Sequence, residues 1–378
     1  MLVDDLVKSV YNKKQVDLIL LDFSKAFDKV NHEKVLLKIQ QYGVRGNTLK
    51  WVKSFLENRS QSVVLNGTTS DAIPVTSGVP QGSVLGPLLF LAYINDLPQN
   101  VSSKVRLFAD DTAIYLTLTS ADQSATLQND LKTLELWELE WDMEFNPSKC
   151  QVIHVTRRKH PIPTQYILHG VQLESVSSAK YLGVDISNDL SWDEHINRST
   201  KKANQTLGFL RRNIKVKSEP IKNIAYQTLV RPQLEYASEV WSPHSQSHID
   251  QIEMVQRRAA RWIKTDYGRT SSVTEMLQSL HLRRLDLRRI DSRLSLFYKI
   301  HHNLVAIPIV DYLIPYTRSV RQGHSLTYRL ITATTDYYKF SYFPRTVYHW
   351  NQLPPTIAHL PTLEQFNAAV CSIEHVSP

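Results

Sequence analysis

The chain has 378 residues, 42% hydrophobic and 21% charged, with a formal net charge of +8, a composition that suits a globular protein of two or three domains. No apolar run is long enough to cross a bilayer, and the charged stretch Met1–Lys14 is no secretory signal, so an intracellular location, nucleus or cytoplasm, is expected. Two cysteines, Cys150 and Cys371, are too few for a disulfide framework or a zinc finger and read as reduced, partly buried thiols.

Leu2, Leu6, Val7 and Val10 fall on one side of a short helix over residues 1–15. An apolar strand follows from Val16 to Phe23. Val30 to Tyr42 reads as a helix stopped by Gly43, and Thr48 to Glu57 as a second short one. Gln61–Leu65 and Thr69–Val75 read as a hairpin closed by Asn66-Gly67. The glycine and proline loop Ser77 to Ser83 leads into an apolar helix, Val84 to Asp96. Lys104 to Leu118 reads as two strands with Asp110-Asp111 at their turn. Gln123 to Glu140 is an amphipathic helix with Leu127, Leu131, Leu134 and Leu136-Trp137 at helical spacing. Val152–Thr156 and Lys180–Ile186 are further strands. From Asp193 the pattern is helical and basic, and the last sixty residues show no clear periodicity and read as irregular.

Charge divides with this pattern. Residues 1–190 carry 19 Lys/Arg against 21 Asp/Glu, and residues 191–378 carry 25 against 15. A basic second half suits a polyanion, although basic surfaces also occur without nucleic acid. Two segments concentrate it: Arg283, Arg284, Arg288, Arg289 and Arg293 on a helix after residue 281, and Lys201, Lys202, Arg211, Arg212, Lys215 and Lys217. Both read as faces able to grip duplex phosphates, with a solvated helix surface as the alternative for any single arginine. The histidines, His301-His302 included, show no metal-ligand spacing.

Two acidic signatures end apolar strands. They are Leu20-Leu21-Asp22-Phe23-Ser24-Lys25-Ala26-Phe27-Asp28 and Leu107-Phe108-Ala109-Asp110-Asp111-Thr112. Taken singly, Asp22 is a strand-end cap and Asp110-Asp111 a plain turn. Taken together, carboxylates converging from separate strands need a cation between them, and three of them suit a two-metal phosphoryl-transfer site holding Mg²⁺ or Mn²⁺.

Phe108-Ala109-Asp110-Asp111 resembles the Tyr/Phe-Ala-Asp-Asp box of reverse transcriptases. Leu21 to Asp28 resembles the preceding aspartate box, and Ser77 to Phe90 the intervening Ser-Gly-x-Pro-Gln-Gly box, in the same order. Asp22 to Asp28, Gly82 to Phe90 and Tyr93 to Leu97 are similar to LINE-type, non-LTR retrotransposon polymerases in particular. The likeness is strong over residues 16–187. It continues more loosely through Leu234-Glu-Tyr236, Trp241, Gln256-Arg-Arg258 and Trp350-Asn-Gln-Leu-Pro354.

The resemblance implies an α+β right-hand polymerase palm over residues 1–187 lacking most of the fingers. A helical thumb-like region, 188–240, and a basic helical or irregular region, 241–378, would follow. It implies RNA-directed DNA synthesis by two-metal transfer from a dNTP to a primer 3′-hydroxyl. Asp22, Asp110 and Asp111 would bind the metals, with the Phe23 carbonyl a further ligand. Phe27 would stack under the incoming sugar and exclude a 2′-hydroxyl, a buried core Phe being the alternative. Gln81 and Gly82 would lie against nucleotide or template, where the bare glycine lets backbone come close. Lys149, in Asn146-Pro-Ser-Lys149, would stand near the leaving pyrophosphate as general acid, and alone it reads as a solvated turn residue. Tyr181-Leu182-Gly183 resembles the strand turn that would hold the primer end, a structural hairpin being the compatible alternative. The implied partners are RNA template, DNA primer and dNTPs. Only 21 residues precede Asp22, so the fingers hairpin and an upstream endonuclease are expected to be missing, and a catalytically inactive copy that only binds nucleic acid is the alternative function.

Overall fold

In the computed structural model, residues 1–316 and 324–373 are described. Their contacts group into two compact units, 12–183 and, separately, 1–11 with 184–378. Residues 1–11, read in sequence with the palm, thus group with the C-terminal half. Among the described residues no helix is long and apolar enough to cross a membrane.

The 12–183 unit is α+β, built on a five-stranded sheet. Its order is Glu174–Ser175, Gln151–Val155, Gln15–Leu21, Asp111–Leu118, Lys104–Phe108. The central strand Gln15–Leu21 runs antiparallel to both neighbours. Its side chains alternate between faces. Ile19 and Leu21 join Phe23, Leu89, Phe90 and Tyr93 in one apolar core, which includes Leu127, Leu131 and Leu134 of the helix Ser124–Trp141. Leu136, expected on that stripe, is instead 67% exposed. Leu18 on the opposite face is also fully buried, which explains why this strand reads as a continuous apolar run rather than an alternating one.

The interior of this strand contains one charge. Asp17 is buried, and its carboxylate accepts from Gln15 Nε2 at 2.8 Å, Tyr166 OH at 2.7 Å, His154 Nδ1 at 3.0 Å and Thr164 Oγ1. Burial alone pushes the carboxyl up. The four hydrogen bonds outweigh burial and hold it below the ordinary aspartate range.

Differences from the sequence reading have local causes. The first helix spans Leu2–Tyr11, and Lys13 turns into the left-handed region before the strand begins. The helix His32–Gln41 starts after Asn31, whose side chain accepts from the backbone N–H groups of Glu33 and Lys34. The hairpin at Asn66-Gly67 forms, both residues having positive φ. Its arms, however, pair only as Val64–Leu65 with Thr68–Thr69 and as Arg59–Gln61 with Ile73–Val75. Residues 180–186 are not one strand: Leu182 and Gly183, both at positive φ, separate Ser178–Tyr181 from Val184–Ser187.

The other unit is helical. Leu207, Tyr226, Trp241, Val255 and Trp262 belong to one apolar core, and Phe297, Tyr298, Trp350 and Phe366 to a second. The final segment, read as irregular, contains the helices Tyr342–Asn351 and Leu363–Val370. The first buries Phe343, Thr346, Val347 and Trp350 at helical spacing and the second Phe366 and Val370, patterns too short to stand out in a segment rich in Tyr, Pro and Arg. The thiol of Cys150 is buried and pushed up to about 11 by that burial, whereas Cys371 is exposed.

Asp17→Asn is expected to destabilise the protein by about 3 kcal/mol in urea unfolding at pH 7, the scale for charged hydrogen bonds lost at a buried site. The folded carboxyl titrates below its unfolded value of about 4, so its contribution is present above that pH and is lost as pH falls through the lower, folded value. The gap between wild type and variant should therefore close on acidification below about pH 4.

Candidate active site

The strand register places two of the expected carboxylates together. Leu21 pairs with Thr112, so Asp22 and Asp111 meet at the next step along. Opposite residues share a face, with Cβ atoms about 4.5–5.5 Å apart. Phe108 pairs with Asp111 across a two-residue turn of Ala109 and Asp110, which sets Asp110 beside them. Ala109 occupies that turn at φ 51, a conformation costing a non-glycine residue about 1–2 kcal/mol.

The crowding has an electrostatic signature. Burial, then the neighbouring Asp110 and Asp22 charges, push the Asp111 carboxyl above the ordinary aspartate range. Tyr181 is close enough to feel Asp111. Burial, with Asp111 adding to it, pushes the Tyr181 phenol up to about 12, and Arg106 opposes the shift.

Lys149 reaches the same place by a separate route. The Asn146 N–H donates to the Asp22 carbonyl at 2.8 Å, and Ser24 N–H to the Glu144 carbonyl at 2.7 Å. Phe23 stacks on Phe145 with ring centroids 4.2 Å apart. Asn146 then forms an Asx turn, its side chain accepting from Ser148 N–H and Oγ, while Lys149 N–H returns to the Asn146 carbonyl. The result is Lys149 Nζ 3.3 Å from Asp22 Oδ2. Lys149 is thus exposed but ion-paired rather than a free turn residue.

The Ser77–Gly82 loop is braced against the first acidic signature. Gly78 N–H donates to the Val30 carbonyl at 2.8 Å, Val79 N–H to the Phe27 carbonyl at 2.9 Å, and His32 Nε2 to the Gly78 carbonyl at 2.8 Å. Gln81 Nε2 donates to Asp28 Oδ1 at 3.1 Å, and Ser77 Oγ to the Asp28 carbonyl at 2.9 Å. Gly78 sits at φ +88, where an added Cβ would lie 2.9 Å from Asp28 Cα; Gly82 sits at φ +80 with open space. Phe27 is partly buried and stacks on Phe90 at 4.4 Å, while Phe23 is buried in the core. Any role for Phe23 must therefore use its backbone.

A cleft of about 560 Å³ opens beside this loop, lined by Lys25, Asp28, Arg59, Gln61, Ser77 and Gln81 among others. Lys25 and Arg59 had not been singled out in the sequence. Lys25 lies inside the first signature and was open to that reading. Arg59 stands on a short exposed strand with no local pattern to mark it, and its Nη1 is buried with no hydrogen-bond partner.

Among the described residues, no three His, Cys, Asp or Glu side chains already stand in metal-ligating geometry. The donor set nevertheless fits a hard divalent cation. It is all oxygen, Asp22 Oδ2 is buried without a hydrogen-bond partner, and Asp111 is disfavoured as an anion by its neighbours.

Residues 3–186 match the family described as reverse transcriptase (RNA-dependent DNA polymerase). The chain is 29% identical over 348 residues to the probable RNA-directed DNA polymerase from transposon BS of Drosophila melanogaster, covering 86% of this chain and 37% of that protein. It is 31% identical over 271 residues to the corresponding X-element protein, covering 69% and 30%. Against the RNA-directed DNA polymerase from mobile element jockey of the same fly it is 30% identical over 272 residues, covering 68% and 29%. Residues 3–186 are a reverse transcriptase domain of the LINE-type, non-LTR retrotransposon kind. The chain spans about a third of the length of these relatives. Apo telomerase from Candida tropicalis is a structural neighbour, with TM-score 0.42 and 12% identity, covering 76% of this chain and 52% of that one.

The arginine face expected to grip phosphates is not an open basic surface. Arg289 and Arg293 are buried, and Arg283, Arg288 and the exposed Arg284 pair with Asp291, Glu235 and Asp286. Lys201, Lys202, Arg211, Arg212, Lys215 and Lys217 are exposed.

Two outcomes follow from the loop and the carboxylates. Gly78→Ala combines a positive φ with a backbone clash and should lower stability by about 2 kcal/mol or more, against about 1 kcal/mol for Gly82→Ala, read by thermal unfolding. Asp111→Asn should raise the unfolding midpoint at pH 7 without added metal. The folded Asp111 carboxyl titrates above its unfolded value, so its ionisation weighs on the native state at neutral pH, and the variant's advantage should vanish below about pH 4.

Proposed function

We propose that the chain carries out RNA-directed DNA synthesis, joining a dNTP to a primer 3′-hydroxyl on an RNA template. The observation that supports it most is the meeting of Asp22, Asp110 and Asp111 at one hairpin end, with Lys149 facing Asp22. Asp22, Asp110 and Asp111 would hold two divalent cations, Mg²⁺ or Mn²⁺, with the Phe23 carbonyl as a further ligand. When bound, these ions supply activation of the 3′-hydroxyl and neutralisation of the pyrophosphate.

The chain's own residues do the rest. Lys149 would release its pairing with Asp22 and turn its ammonium toward the leaving pyrophosphate, as charge and as general acid. The Phe27 ring, backed by Phe90, is a rigid wall beneath the sugar and would exclude a 2′-hydroxyl. Gln81 lines the cleft that would take template or nucleotide, with Gly82 next to it in sequence, and Lys25 and Arg59 give that cleft positive charge. Tyr181, Leu182 and Gly183 would seat the primer end beside Asp111. Residues 188–240 would act as the thumb, with the exposed Lys201, Lys202, Arg211 and Arg212 on duplex phosphates and a steep salt dependence.

The test joins turnover to a readout that needs none. With Fe²⁺ in place of Mg²⁺, peroxide should cut the backbone near residues 22 and 110–111, and Asp110→Asn should abolish both the cuts and primer extension on RNA. Cuts confined to other regions would sink the metal assignment. Salt-sensitive primer–template binding with no extension would instead support a copy that binds without synthesising.

A further inference from the structure

The C-terminal unit keeps three guanidinium groups in its interior. Arg289 and Arg293 stand one turn apart on the helix Leu285–His301, 1% and 2% exposed. Arg345 lies on the helix Tyr342–Asn351, which packs on the first. Arg293 feels both of the others, and Arg345 feels Arg289. Burial, then Arg345 and Arg289, drives the Arg293 guanidinium well below its ordinary value, and burial with Arg289 lowers Arg345 to about 10.

Protein acceptors meet only part of this donor set. Arg293 Nη1 donates to Ser242 Oγ at 2.9 Å, and Arg345 Nη1 to the Ser242 and Pro243 carbonyls at 3.2 and 3.3 Å. Among the described residues, no acceptor meets Arg289 Nε, Nη1 or Nη2, Arg293 Nε or Nη2, or Arg345 Nε. The carboxylates within electrostatic reach, Glu235, Glu239, Glu253 and Asp286, have other hydrogen-bond or ion-pair partners, Asp286 pairing with Arg284 and Glu235 with Arg288. Glu239 accepts from Ser292 Oγ at 2.7 Å, and Glu253 accepts from the backbone N–H groups of Leu285 and Asp286. The contrast within one segment is sharp, since Arg283, Arg284 and Arg288 each have a carboxylate.

A buried cation with no carboxylate bonded to it is among the most costly arrangements a core can hold, and neighbouring ones repel. Apolar side chains of similar volume would serve packing better. We propose that Arg289, Arg293 and Arg345 bind a small tetrahedral oxyanion of the phosphate or sulfate class inside the C-terminal unit. Guanidinium forks present paired N–H donors that match such an oxyanion, which accepts at several oxygens at once. The burial of Arg289 and Arg293 excludes a nucleic-acid strand from the same site. The anion ties the Leu285–His301 and Tyr342–Asn351 helices to the Ser242-Pro243 segment.

The full chain, nuclease-treated and dialysed into acetate buffer, is denatured and the released anions are identified by ion chromatography, which separates phosphate, sulfate and nucleotide. Near-stoichiometric phosphate or sulfate is expected. Wild type and Arg289→Met are then unfolded in urea with inorganic phosphate titrated at constant ionic strength. The wild-type midpoint should rise saturably, and the variant should lose both that rise and the released anion while unfolding earlier. No released anion, or a variant as stable as wild type with the same phosphate response, would overturn the proposal. If Arg289→Met does not fold, release from the wild type decides alone.

Discussion

One strand register governs the candidate site. Gln15–Leu21 is clamped between two antiparallel neighbours, and its pairing with Asp111–Leu118 brings Asp22 and Asp111 to one edge. A slip of one residue would turn Ile19 and Leu21 away from the helical core and send Asp22 to the other face. The burial of the apolar residues therefore supplies the free energy that holds the acidic ones against their mutual repulsion. The Asp17 cluster fixes the same strand further back, where His154, Thr164 and Tyr166 reach its carboxylate from other segments and hold it in one register.

Around that edge the backbone is unusually constrained. Lys25, Gly78, Gly82, Ala109, Leu182 and Gly183 all have positive φ and all belong to the site's turns. Such conformations persist only where the surroundings over-determine them. Here the Gly78 loop is tied to Phe27, Asp28, Val30 and His32, and the Asn146 turn to Asp22. The loops that present Lys149 and Gln81 are thus extensions of the sheet, not free tethers. Preorganisation of this kind is what lets a site place charges without reorganising during the reaction.

What was legible in the sequence follows from the range of each interaction. The aspartate boxes, the Asn66-Gly67 turn and the Ser124–Trp141 helix rest on local patterns, and they are found where expected. The turn at Tyr181-Leu182-Gly183 is marked by its glycine, whereas the extent of the strands on either side of it is not. The terminal helices were hidden because their buried patterns are too short to stand out. Arg59 was invisible because the cleft it lines is assembled from segments distant in sequence.

The arginine helix shows where periodicity stops informing. A helix with one apolar and one charged stripe is taken to turn its charges to solvent, because burying them is expensive. Leu285–His301 buries Arg289 and Arg293 along with Leu285, Phe297 and Ile300, so charged and apolar residues share its buried side. Net charge misleads for the same reason. Ten excess positive charges in residues 191–378 do not make ten contacts for a polyanion. Arg283, Arg284 and Arg288 are neutralised in pairs, and three more guanidinia are turned inward. On the proposed reading, the exposed bases, Lys201, Lys202, Arg211 and Arg212 among them, rather than the total, would set the salt dependence of nucleic-acid binding.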